Sequence, residues 1–189
     1  MTSAIEDDER VGIMSTVVRA VSDERDGLLT FLAEQRDAVR RAAHGLTDEQ
    51  AASAPSASSL SIGGLVKHLT RMEWFWIQVV LDGQPNTDPQ TPETWPRQFR
   101  MEEGETLAGL LAAYEQRARE TEEIVNALPD LDRVVPLPAR PAFQNEARSA
   151  RWILLHVIQE VARHAGHADI IRETLDGASA SDLVDATRA

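Results

Sequence analysis

SARWILLHVIQEVARHAGHADIIRETLDG, residues 149–177, reads as one unbroken helix. Ser149 is placed to cap its start, and Gly177 falls where a left-handed residue commonly closes a helix. At about 1.5 Å per residue the helix would run roughly 40 Å, the length of a small bundle. At 100° per residue, Ile153, Val157, Glu160, His164, His167, Ile171 and Leu175 fall within one arc of about 80°, with His156 at its edge. Glu160 and His164 thus lie one turn apart in the middle of an apolar stripe.

A lone carboxylate on a core-facing stripe costs several kcal/mol or takes up a proton. A divalent cation shared by Glu160 and His164 would compensate it, because an i, i+4 pair reaches a common point. A third ligand must then come from another helix. The alternative is a buried hydrogen-bonded pair, Glu160 with Arg71 or Arg163.

The length of 189 residues suits one domain with a substantial core. Acidic residues outnumber basic ones 31 to 19, for a net charge of −12. That balance argues against nucleic acid and anionic membrane surfaces, which reward basic patches. With no cysteine, the fold owes nothing to disulfides and a cysteine nucleophile is excluded. Any metal must be held by His, Asp or Glu. No apolar run reaches the ~18 residues of a membrane span, and the acidic start does not read as a signal peptide. The expected location is the cytoplasm.

Residues 1–21 read as an N-terminal arm, partly disordered, in which residues 13–21 form either a short helix or a packed segment. Residues 22–43 are amphipathic, with Ser22 as cap and Leu28, Leu29, Leu32, Val39 and Ala43 in helical period. Thr47 with Gln50 spells a capping box opening a brief turn. The second long helix covers 61–81, and its stripe of Leu65, His68, Met72, Phe75 and Val79 puts a histidine in the middle of a core-facing side. Gly63 and Gly64 cost about 1 kcal/mol each in a helix, a sign of close contact or of a loose first turn. Residues 82–103 carry four prolines and form a connection long enough to cross the bundle, which allows the second and third helices to run parallel, with Trp95 and Phe99 pinning it. Residues 105–129 give the third helix, in which Tyr114 is a candidate hydroxyl near the site. A second proline-rich connection, with an extended stretch near Val134, leads to the helix at 149–177. His44 falls at a helix end and takes no chemistry. Residues 178–189 read as a polar, weakly ordered tail in which Leu183 and Val184 are the residues able to dock. The expected fold is therefore all-α: a four-helix bundle over 22–177 with two long proline-rich connections.

Two motifs carry a resemblance. GGLVKHLTRMEWFW (63–76) followed by RWILLHVIQEVARHAGHADIIRETLDG (151–177) resembles the DinB superfamily, and within it the actinobacterial DinB-like branch. The resemblance covers roughly residues 22–177. It is similar to the metal-binding domain of mycothiol-dependent maleylpyruvate isomerase, whose ligands are His, Glu and His. Matched by position, the resemblance implies His68, Glu160 and His164 as ligands of a divalent metal, zinc foremost, with nickel and iron as alternatives. Where other superfamily members carry a third histidine, this chain has Glu160. His167, His156 and Arg163 are expected beside the ligands or against substrate.

Three protein ligands leave a coordination position open, the pattern of catalytic rather than structural zinc. The resemblance implies a transferase or isomerase acting with a low-molecular-weight thiol such as mycothiol or bacillithiol, on a small-molecule substrate. It also implies a homodimer. The competing expectation is a non-enzymatic metal-stabilised bundle that binds a small molecule or a partner protein.

Overall fold

The structure is a computed structural model and describes residues 17–138 and 146–188. Most of the N-terminal arm, including residues 13–16, lies outside the described residues. Helix α1 spans Glu24–Ala43, the short α2 Asp48–Ala52 and α3 Ile62–Trp74, which continues as a π-helical segment over Phe75–Leu81. A 3₁₀ turn at Trp95–Phe99 precedes α4, Leu107–Ala127. Strands β1 (Val134–Pro136) and β2 (Ala147–Ser149) form a small antiparallel ladder, with Val135 opposite Arg148. Helix α5 is Ala150–Asp176 and α6 is Ala180–Arg188. The fold is mostly helical and of DinB-like bundle type.

Local chemistry sets the boundaries. Ser149 accepts from the Trp152 amide, and Gly177 adopts φ +82° at the far end of α5, as its sequence predicts. Thr47 and Gln50 form both halves of the capping box. The third long helix starts later than residue 105 because Thr106 takes the cap, accepting from Gly109. At α1 the cap is Asp23 rather than Ser22. The Ser22 hydroxyl instead faces the Asp26 carboxylate, 3.2 Å away.

Cross-helix contacts fix the directions. Glu24 pairs with Arg151, and Arg172 reaches the Ala42 carbonyl at 2.9 Å, so α1 and α5 run parallel. Lys67 meets Glu105 at the start of α3, while Glu73 meets Thr121 and Gln78 meets Glu120 further along. Helices α3 and α4 therefore also run parallel. Arg25 bonds the Leu128 carbonyl and Arg36 faces Glu122, which sets α1 antiparallel to α4. The order is up, down, down, up. It is the long connection over residues 82–106, running back along α3, that permits two consecutive parallel helices.

The core is built from Leu32 and Val39 of α1, Leu69 and Ile77 of α3 and its extension, Val125 of α4, and Ile153, Leu154, Val157 and Val161 of α5, all fully buried. In the π-helical segment the Asp82 amide bonds back to the Ile77 carbonyl, five residues away. Its wider turn brings Phe75, Trp76, Ile77, Gln78, Val80 and Leu81 all inside. The segment after Gly177, expected to be a weakly ordered tail, forms α6. Leu183 and Val184 are buried there, because α6 lays them against α1.

Candidate metal centre

His68 enters from α3 and is buried. Glu160 and His164 enter from α5, one turn apart. The antiparallel pairing of α3 with α5 brings the two helices' polar positions level. One ligand-type atom from each of His68, Glu160 and His164 lies within 4.8 Å of the others. The His68 and His164 rings are 4.9 Å apart and nearly perpendicular, and His164 Nε2 stands 4.0 Å from Glu160 Oε2. Glu160 is half-buried, so it marks the side of the cluster nearer solvent.

The electrostatics suit ligation. Burial holds the His68 pKa below its ordinary value, against the opposing pull of Gln98 and Glu160. Burial, reinforced by His68, His167 and Arg163, pushes His164 down to about 4. Both imidazoles are therefore neutral at pH 7, the state in which a ring nitrogen offers a lone pair. Two imidazoles and a carboxylate are a donor set that fits a divalent ion of borderline hardness such as zinc. Neither arginine considered as a partner for Glu160 takes that role. Arg71 bonds Asp88, 2.6 Å from Nε to Oδ2, and Arg163 is exposed.

The neighbouring residues take distinct positions. His167 is exposed, and its Nδ1 meets His164 Nδ1 at 3.2 Å. The contact is thus at the ring nitrogen other than Nε2, and Nε2 is the one that stands 4.0 Å from Glu160. His156, one turn before Glu160, stacks on Trp152 at 5.2 Å and meets the edge of Trp76 at 4.6 Å. Burial lowers its pKa, opposed by Glu160. The Arg148 guanidinium covers Trp152 at 5.2 Å. An aromatic wall thus runs up to Glu160.

Tyr114 is elsewhere. It is fully buried beside Arg36 and Glu73, with its pKa raised by burial, and has no part in the cluster. Two residues beside His68 carry no periodic signal in the sequence. Gln98 Oε1 lies 3.0 Å from His68 Nδ1, and Phe99 stacks on the same ring at 4.3 Å. Both belong to the proline-rich connection. Its pinning role was legible through Phe99, and Gln98 was not.

A helical bundle that gathers two imidazoles and a carboxylate between antiparallel helices defines a DinB-like protein with a candidate metal centre. The family model described as mycothiol-S-transferase matches residues 27–177, and the chain belongs to that family. The resemblance drawn from the two motifs is borne out. A solved structure, the conserved protein of locus from Enterococcus faecalis, has the same fold with a TM-score of 0.65. It is 14% identical over 84% of this chain and 100% of its own. No curated protein matches the sequence. Among the described residues no helix is long and apolar enough to cross a membrane.

Proposed function

We propose that this chain is a metal-dependent transferase that joins a low-molecular-weight thiol of the mycothiol type to a small electrophile, or an isomerase in which the same thiol adds and is expelled. The carrying observation is the convergence of His68, Glu160 and His164 within 4.8 Å, with both imidazoles buried. Membership in the mycothiol-S-transferase family supports the choice of thiol.

A bound divalent ion, zinc foremost with nickel and iron as alternatives, supplies the positive charge that lowers the pKa of a thiol toward neutrality. The chain has no cysteine, so the sulfur arrives with the cosubstrate. Its thiolate gives an electron pair to the electrophilic carbon and forms the S–C bond. In transfer the leaving group departs with its own bonding pair and the thiol proton goes to solvent; in isomerisation the thiolate is itself the group expelled and takes the S–C pair back. His68, Glu160 and His164 are the ligands in this reading. His167 orients His164 through the Nδ1 contact. The wall of His156, Trp152 and Trp76 holds the electrophile beside Glu160. Arg163, exposed one residue before His164, meets a substrate carboxylate. The contact of His167 at His164 Nδ1 rather than Nε2, and a group of close ligand atoms made of His68, Glu160 and His164 alone among the described residues, support an open coordination position over a closed four-ligand staple.

The test is thiol consumption by tag-free protein loaded with zinc, nickel or iron, with mycothiol and a panel of electrophiles. Turnover that disappears in His164→Ala is expected. Metal bound at about one per chain with no turnover across the panel would overturn the enzymatic reading and leave a metal-stabilised binding bundle.

A further inference from the structure

The connection between α3 and α4 lies directly on the α3 backbone. A Cβ on Gly64 would sit 2.0 Å from the Phe99 carbonyl oxygen and 2.4 Å from its carbon. Those are backbone atoms with no freedom to swing aside. A Cβ on Gly63 would meet Met101 Sδ at 2.3 Å. The glycine pair is thus the seat on which residues 98–101 rest. The segment is tied down further by Arg71 to Asp88 and by Lys67 to Glu105.

The seat places Gln98, which is 4% exposed, against His68. Its amide can face only one way. Gln98 Nε2 lies 3.1 Å from the Trp95 carbonyl oxygen, which accepts and never donates. The NH₂ must therefore point at Trp95, and Oε1 points at His68 Nδ1. An amide oxygen only accepts, so Nδ1 must carry the proton. The lone pair of the neutral ring is then on Nε2.

We propose that Gln98 is a positioning residue: it fixes His68 as the Nδ1–H tautomer and so presents Nε2 to a divalent cation, and Gly64 is the residue that lets the chain hold it there. The inference rests on the reading of His68 as a metal ligand. Hydrogen-bond partners of this kind change metal affinity by about 10–100-fold when removed.

The first measurement is made on metal-free protein, by long-range ¹H–¹⁵N NMR of the imidazoles, with His68 assigned from His68→Gln. The Nδ1–H form is expected in wild type; an Nε2–H form would overturn the proposal whatever the protein binds. The second is zinc affinity, with the Co²⁺ visible spectrum as a readout of ligand geometry. Gln98→Met, nearly the same shape without the amide, should weaken affinity about 10–100-fold. In metal-free Gln98→Met the His68 imidazole should no longer be held as the Nδ1–H form. Wild-type affinity with an unchanged Co²⁺ spectrum in folded Gln98→Met, or a retained single Nδ1–H form there, would overturn the proposal. If wild type binds neither ion, the reading of the metal centre fails, and the tautomer measurement still decides what Gln98 does.

Discussion

Arg36 and Glu73 form an ion pair in the centre of the bundle, with side chains 1% and 0% exposed. Arg36 Nε donates to Glu73 Oε2 at 3.2 Å, and Nη2 donates to Oε1. The Thr121 hydroxyl donates to the same carboxylate, so α1, α3 and α4 meet at one point. Removing one partner strands a buried charge, which costs about 3–5 kcal/mol. Glu73→Leu or Arg36→Met alone should therefore be severely destabilised in urea melts. The double variant should recover much of the loss, because a buried pair is replaced by apolar volume. Equal destabilisation in the single and double variants would contradict this account.

Tyr114 carries a buried hydroxyl with no hydrogen bond among the described residues. Tyr114→Phe removes only that group. Stability should stay level or rise by up to about 1 kcal/mol in denaturant melts. Metal affinity should not move, since the ring belongs to the Arg36–Glu73 region. A drop in metal affinity would place the hydroxyl in the site after all.

Glu160→Gln separates a metal centre from a hydrogen-bonded polar core. If Glu160 is a ligand, elemental analysis should find about one metal per wild-type chain and much less in Glu160→Gln and His164→Ala. The metal-free variant should melt no lower than metal-free wild type, because the substitution removes a half-buried charge. Undiminished metal in both variants would remove these two residues from the ligand set.

Arg172 closes the end of α1. Its Nη1 donates to the carbonyls of Ala42 and His44 at 2.9 and 2.7 Å, and its Nε meets the Asp176 carboxylate at 3.0 Å. Arg172→Gln should cost about 2 kcal/mol, since a charged donor to otherwise unsatisfied carbonyls is lost. The hydrogen bond from Arg172 holds the Asp176 pKa below its ordinary 3.8. A carboxylate lowered in the folded state gives stability above its unfolded pKa and loses it as pH falls through the folded one. The gap between wild type and Asp176→Asn should thus be full above about pH 4 and close below it. A gap that persists unchanged at pH 2 would show the ion pair to be idle.

Much of the candidate site was legible because helical period carries it. Glu160 and His164 sit one turn apart on any straight helix, and His68 lies on the stripe of its own helix. Arg36 and Glu73 were not found this way. Each is a charged residue on an otherwise ordinary amphipathic helix, and their mutual burial depends on how α1 and α3 are rotated against each other. Gln98 was hidden for a related reason: a proline-rich connection has no period from which to infer a facing side. The helix after Gly177 was missed because its polar composition outweighed the two residues that dock.

The sequence by itself determined the local structure: the caps at Thr47, Ser149 and Gly177, the helical stripes, and the absence of a thiol in the chain. These follow from the residues' own hydrogen bonding and from the 3.6-residue repeat. Only the tertiary structure decided that α3 and α4 run parallel, that His68 comes level with Glu160 and His164, and that Gly64 yields its surface to Phe99. Those facts depend on contacts between residues far apart in the chain, and local propensity holds no record of such distances.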